Sequence, residues 1–219
     1  MKGTTNRFRI SEEQLVKYSQ GLVPDFRFTK QTKKLYNLVS LYLNDDPEFE
    51  KLCLKTSKRE YPYNLNKGLF LISAPGAGKS FLFEDLLPNF FQHFSGFKYR
   101  QITTYKLQDL YMKHGANAID EYNNSVYSPA SQKNEYNLYV DDFGREVKAL
   151  KFFGNDLYFM DMFIDARVRL NKRGFRTHGS SNLNLAELKA YYSDATFSRF
   201  FKLFNFILMT DTVDYRMEL

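Results

Sequence analysis

The sequence predicts an α/β fold in which a five-stranded parallel sheet is covered by helices on both faces. Three observations predict it. Short apolar or alternating runs at 69–73, 97–104, 137–142, 175–182 and 204–209 are separated by stretches with helical spacing, and strands joined through helices pair in parallel. The run GLFLISAPGAGKSFLF (68–83) reads as a buried strand, a tight glycine-bearing loop and the opening of a helix. Of 219 residues, 43% are hydrophobic, with 22 Phe, 16 Tyr and no Trp, so a sizeable and largely aromatic core can be filled.

Taken in order, residues 1–60 precede the first sheet strand and read as helical. Ser11 and Gln14 form a capping-box signal for a short helix running to about Gln20, which Gly21 and Pro24 end. The aromatic stretch 25–28 reads as extended and placed to lie over a nucleotide base. Thr29 caps a second helix whose Leu35, Leu38, Val39, Tyr42 and Leu43 make one apolar stripe, and Asp46-Pro47 opens a third, with proline at its first position. The polar stretch TSKREYPYNLNK (56–67) reads as turns leading into the strand at Leu69. Residues 1–28 are expected to form an arm that binds a partner. Residues 29–219 are expected to form the main domain, with a helical lead-in at 29–60 and a core at 61–219.

Beyond the loop, a helix from Lys79 is expected to reach about Leu87, where Pro88 interrupts or kinks it. FKYRQITT (97–104) is a second strand, and TYKLQDLYMKHG a helix that turns Leu107, Leu110 and Tyr111 inward and ends at Gly115. Residues 116–136 read as a polar surface segment. NLYVDD (137–142) is a strand that becomes abruptly acidic, and 153–174 a long helix ending at Gly174. The strand 175–182, helices at 185–192 and 196–202 and a buried strand at 204–209 complete the pattern.

The loop carries the chemistry. Gly76 and Gly78 let the backbone curl so that several N–H groups point inward, and the helix N-terminus adds its positive dipole end, an arrangement suited to phosphates. Lys79 then reaches the β- and γ-phosphates and the Ser80 hydroxyl ligates Mg²⁺. The pattern departs from G-x-x-x-x-G-K-[ST] only in beginning with Ser73. Candidate ATP-binding residues are Ser73, Ala74, Pro75, Gly76, Ala77, Gly78, Lys79, Ser80 and Phe81. Ligands of an open parallel sheet sit beyond the carboxyl ends of its strands, which singles out Asp141, Asp142 and Asn182 as well. Asp141 suits the acidic side of a Mg²⁺ site opposite Ser80, and Asp142 suits polarisation of an attacking water.

Other chemistries are excluded by composition. One cysteine, Cys53, and three scattered histidines build neither a disulfide framework nor a structural zinc site. No apolar run approaches the roughly 18 residues of a membrane span, and the start MKGTTNRFRI lacks the apolar core of a secretory signal. A cytoplasmic setting is therefore expected, in a bacterial cell or for a phage or mobile-element protein in a bacterial host. The net charge of +6 suits an anionic partner without requiring one.

SAPGAGKS, YVDDFGRE, HGSSNL and FSRF followed by DYR, in that order, resemble an AAA+ P-loop ATPase (ASCE class). Within that class the chain is similar to the DnaC/IstB-like group of helicase loaders and transposition-helper ATPases. The resemblance spans about Phe28 to Arg216. It implies ATP hydrolysis with Mg²⁺, a side-by-side homo-oligomer, no separate lid domain, and work on single-stranded DNA with a replicative helicase. It also implies roles for single residues: Asn182 positions water against the γ-phosphate, Arg199 is an arginine finger acting on the neighbouring subunit's ATP, and Arg216 touches its own subunit's phosphates. The catalytic acid is Asp142 or, four residues on, Glu146. The DNA contact region of the group falls here on Lys98, Arg100, Tyr105, Lys106, Tyr111 and Lys113, interleaved basic and aromatic residues that suit backbone contact and base stacking. A second basic cluster (Arg167, Arg169, Lys172, Arg173, Arg176) surrounds the end of the long helix. A transposition helper, or a scaffold whose assembly ATP controls with slow or dispensable hydrolysis, is the alternative role.

Overall fold

The computed structural model describes residues 9–24, 26, 28–93, 98–115, 122, 136–148, 150–152 and 155–209. The chain divides into two compact units, Met1–Leu65 and Asn66–Leu219.

In the first unit, α1 (Glu12–Leu22) carries the expected capping box: the Ser11 hydroxyl accepts from the Gln14 amide, and the Gln14 side chain accepts from the Ser11 amide. Thr29 caps α2 (Lys30–Leu43). Leu35, Val39 and Tyr42 are buried as the stripe requires, joined by Tyr36, whose hydroxyl lies 2.7 Å from that of buried Ser19 on α1. The rings of Phe26 and Phe28 lie against Tyr36, so this aromatic stretch packs within the unit's own core. Pro47–Lys51 is a short 3₁₀ helix. The stretch expected to be turns instead contributes to a hairpin, β1 (Cys53–Lys55) against β2 (Glu60–Pro62), closed by the Thr56 amide on the Arg59 carbonyl at 2.9 Å. Three-residue strands are too short to show a period of two.

The second unit holds the predicted sheet. Its strands are β3 (Gly68–Ser73), β4 (Tyr99–Thr103), β5 (Asn137–Asp141), β8 (Thr177–Ser181) and β9 (Phe204–Met209), all parallel, in the spatial order β4-β5-β8-β3-β9. Every residue of β3 and β8 is buried, so both faces are covered. Each face has its own aromatic packing. Phe70 packs its ring, tilted or edge-on, against those of Phe143, Phe200, Phe204 and Phe206 on one side. On the other, Phe83, Tyr99 and Tyr139 pack around the buried His178. His178 is held neutral: burial, then Arg176 and Arg167, push its pKa down to about 3, and its Nδ1 accepts from the Leu69 amide at 3.1 Å.

That bond marks a close approach at the base of the sheet, where a Cβ on Gly68 would fall 1.6 Å from the Thr177 carbonyl oxygen. Only hydrogen fits there. Gly68→Ala is therefore expected to force β3 and β8 apart and to destabilise the fold by about 3 kcal/mol, the upper range of overpacking. Thermal unfolding reads it; an unchanged melting temperature contradicts the crowding.

Two helices differ from expectation. The helix after the loop does not stop at Pro88. Its turn Phe81–Leu86 is wound in the wide π register, with the Leu87 amide on the Leu82 carbonyl, and α3 (Leu87–His93) continues it. In that register the proline, which has no N–H, stands opposite the Phe83 carbonyl. Tyr99 Oη and Gln101 Nε2 donate to that carbonyl instead. The long helix expected over 153–174 begins only at Phe159: β6 (Leu150–Phe152) and β7 (Asn155–Leu157) form a hairpin before α5 (Phe159–Lys172). Gly154 and Asn155 are poor helix formers, and two residues between strands is a hairpin's length. Between β4 and β5 runs α4 (Thr104–His114), capped by Thr103 and ended by Gly115; α6 (Leu185–Tyr191) and α7 (Asp194–Leu203) lead from β8 to β9. The expected surface segment 116–136 lies outside the described residues except for Tyr122 and Tyr136, as does Arg216.

Candidate nucleotide site

The spatial order places β5, β8 and β3 side by side, so the residues at their carboxyl ends meet although they are distant in sequence. After β3 the loop bends with positive φ at Gly76 (80°) and Gly78 (85°), a region that side-chain-bearing residues avoid. Ser73 and Ala77 are buried and Phe81 half-buried. Lys79, 6% exposed, folds back over the loop. Its Nζ donates to the Ser73 carbonyl and hydroxyl at 2.9 Å each, to the Ala74 carbonyl at 3.0 Å and to Asn182 Oδ1 at 2.7 Å. An ammonium this buried requires such acceptors.

The Ser80 hydroxyl donates to Asp141 Oδ2 at 3.3 Å. Asp141 Oδ1 is held from behind by the Tyr139 hydroxyl at 2.7 Å, two residues back on the same strand face, and by the Ser180 hydroxyl on β8. One carboxylate oxygen is thus fixed by the sheet and the other turned toward Ser80. A hydroxyl and a carboxylate oxygen so placed are the hard donors that Mg²⁺ takes, so the residues fit that ion.

Asp142 sits in the left-handed region at φ 61°, which aspartate tolerates better than most residues. Its Oδ1 accepts from Asn182 Nδ2 at 3.1 Å and its Oδ2 from Arg145 Nη1 at 2.7 Å, while Thr104 Oγ1 donates to its carbonyl at 2.7 Å. Asn182 therefore bridges Lys79 and Asp142 through opposite ends of one amide. Glu146 is placed differently. It is 3% exposed, with Oε2 accepting from the Gly144 amide at 3.0 Å and Oε1 from the Tyr192 hydroxyl. Burial pushes its carboxyl above the usual range, against those hydrogen bonds. Both its oxygens are engaged within the fold, whereas the half-buried Asp142 reaches Asn182, which in turn accepts from Lys79.

Glu84, on the π turn, was not singled out from the sequence. Burial first, and then the neighbouring Asp141 carboxylate, push it up to about 7. Its spacing of four from Ser80 on one helix is the signal that could have found it.

The arginine at 199 lies on α7, 34% exposed, its Nε 3.1 Å from Asp165 Oδ1 on α5; Arg169 donates to the same carboxylate at 2.7 Å. Of the other basic candidates, Arg100 stacks its guanidinium over the Tyr136 ring at 4.1 Å, and Lys106 and Lys113 both reach Asp109, at 3.3 and 2.9 Å. Lys98 is exposed and Tyr105 is 69% exposed, but Tyr111 is buried against Phe159, so its ring is not on the exposed helix face. In the second basic cluster Arg167 is wholly buried and donates to Thr177 Oγ1 at 2.8 Å and to the carbonyls of Tyr122, Tyr136 and Arg176, a structural tie rather than a surface charge. No helix of the described residues is long and apolar enough to cross a membrane.

No protein-family model matches the sequence, and no curated protein does. Solved structures match. The crystal structure of the DnaC helicase loader aligns with a TM-score of 0.55 at 18% identity, over 88% of this chain and 98% of that one. A putative primosome component from Streptococcus pyogenes serotype M3 aligns at 0.55 and 14% identity, over 87% and 86%. AMPPCP-bound DnaA from Aquifex aeolicus aligns at 0.51 and 18% identity, over 87% of this chain and 49% of that longer one. At such identities the shared property is the fold: the chain has the α/β fold of these structures, with the five-stranded parallel sheet that the sequence predicts.

Proposed function

We propose that the chain is an ATP-binding and ATP-hydrolysing protein of the AAA+ class that acts in DNA replication, loading or remodelling a replicative helicase on single-stranded DNA. The observation that carries the ATPase part is the meeting of Lys79, Ser80, Asp141, Asp142 and Asn182 at three adjacent strand ends. The replication part is supported by the likeness in fold to a helicase loader and an initiator.

In this reading the loop amides from Gly76 to Ser80 take the phosphates, and Lys79 exchanges Asn182 Oδ1 for phosphate oxygen. Ser80 and Asp141 would hold Mg²⁺, which supplies charge neutralisation across the phosphates when bound. Asp142 takes a proton from water as the water oxygen bonds to the γ-phosphorus and the bond to the β-bridging oxygen breaks, leaving ADP and phosphate. Asn182, freed from Lys79, orients that water. Arg199 spreads positive charge over the γ-oxygens bound to an adjacent copy, and Arg216 contacts the phosphates within its own copy. Lys98, Arg100, Tyr105 and Lys106 offer a face for single-stranded DNA.

One observation favours a second role, an assembly controlled by ATP with slow hydrolysis: Arg145 and Asn182 occupy both carboxylate oxygens of Asp142. ATP binding and turnover, with Mg²⁺ and with or without single-stranded DNA, decide between them. Affinity with turnover that DNA changes is the expected result. Affinity without turnover selects the scaffold, and no affinity removes both. Retention of a transposase rather than the replicative helicase in ATP-dependent pull-downs would move the chain to transposition.

A further inference from the structure

The hydroxyls that hold Asp141 are shared unevenly between its two oxygens. β5 pairs with β8 so that Tyr139 stands beside His178 and Val140 beside Gly179. One residue further along, Ser180 comes beside Asp141 on the sheet face that Tyr139 also shares. Tyr139 and Ser180 are wholly buried, and both hydroxyls donate to Asp141 Oδ1, that of Tyr139 at 2.7 Å. Oδ2 accepts instead from Ser80, on the phosphate-loop side, at 3.3 Å. The Tyr139 ring is itself fixed, stacked on Phe83 with 4.4 Å between centroids. A phenylalanine would fill that place equally well. The phenol oxygen is a polar group taken out of water, which costs free energy unless it is hydrogen-bonded, and its bond goes to Asp141.

Each oxygen of a carboxylate accepts at two lone-pair positions. On Oδ1 both are taken, by buried donors; Oδ2 keeps one beside Ser80. The common divalent cations differ in what they ask of such a group. Ca²⁺ takes a larger, flexible oxygen shell and readily grips a carboxylate by both oxygens, whereas Mg²⁺ demands a tight octahedron and keeps several waters, so one carboxylate oxygen suffices for it. We propose that Tyr139, together with Ser180, is a specificity-determining positioning residue: by occupying Oδ1 it confines Asp141 to coordination through one oxygen and so favours Mg²⁺ over Ca²⁺. The inference rests on reading Ser80 and Asp141 as the metal side of a nucleotide site. To grip a cation with both oxygens, the carboxylate has to give up the hydrogen bonds of two buried hydroxyls and leave them unpaired, which is costly.

The test is the binding of a fluorescent, non-hydrolysable ATP analogue to the full chain, titrated with Mg²⁺ and separately with Ca²⁺, for wild type and Tyr139→Phe. The substitution removes one oxygen and keeps the ring on Phe83. It is expected to lower the ratio of Ca²⁺ to Mg²⁺ concentrations at half-saturation by about tenfold, the lower range for loss of a group that orients a metal ligand. Each cation's equilibrium with the analogue in free solution is the same for both proteins and cancels in the comparison. Damage to the fold alone would weaken binding with both cations alike and leave the ratio where it was. If Tyr139→Phe does not fold, Ser180→Ala, which removes the other donor to Oδ1, is read in its place with the same expected direction. An unchanged or higher ratio in the folded variant, with wild type binding the analogue in Mg²⁺, overturns the assignment and leaves the nucleotide reading standing. Wild type that does not bind the analogue with Mg²⁺ present removes that reading, and this assignment with it.

Discussion

Lys79→Ala is expected to lose ATP binding, with affinity falling roughly 100-fold or more. A hydrogen bond to a charged group contributes about 1.5–3 kcal/mol, each 1.4 kcal/mol is about tenfold in affinity, and the Lys79 ammonium lies on the loop's own carbonyls. Its Nζ serves the Ser73 and Ala74 carbonyls and Asn182 at once. The substitution also strips those acceptors of a buried donor, so a loss of about 1–3 kcal/mol in stability is expected beside the binding defect. Equilibrium binding of a fluorescent ATP analogue and thermal unfolding, measured on the same preparation, separate the two effects. A folded variant that retains wild-type affinity would remove the loop from any role in phosphate binding.

Arg199→Ala is expected to bind ATP as wild type does and to hydrolyse it about 1000-fold more slowly, the lower range for loss of an arginine finger. The guanidinium is held at its Nε by Asp165, which Arg169 also grips, so its direction is fixed by a pairing on its own subunit. A residue acting on a neighbour's ATP can be complemented. Mixing Arg199→Ala subunits with Lys79→Ala subunits should restore turnover above that of either alone, because one supplies an intact site and the other an intact arginine. Normal turnover in the Arg199 variant, or no recovery on mixing, sinks the assignment to the neighbour's site.

Much of this site is legible in one dimension because its parts are local. The glycines at 76 and 78, the lysine and the serine share one turn, and Asp141 and Asp142 end one apolar run. What connects them is not local. The contact of Lys79 with Asn182 joins residues 103 positions apart, and that of Asp142 with Asn182 joins residues 40 apart. The choice between Asp142 and Glu146 was open in the sequence because both follow the same strand. They differ in burial: Glu146 is enclosed against Tyr192 and the Gly144 amide, whereas Asp142 is half-buried and reaches Asn182.

The chain's own order of residues determined the class of fold, the five sheet strands, the caps at Ser11 and Thr29 and the loop that would receive phosphates, because periodicity, capping and backbone freedom act over a few neighbouring residues. Tertiary structure alone decided that the helix runs on past Pro88 in a wide turn, that 155–157 is strand, and that Arg167 is interior. Each of those depends on which groups become neighbours when strands pair and faces are buried, and a hydrogen-bond partner or a facing charge supplied from far along the chain leaves no mark on local pattern.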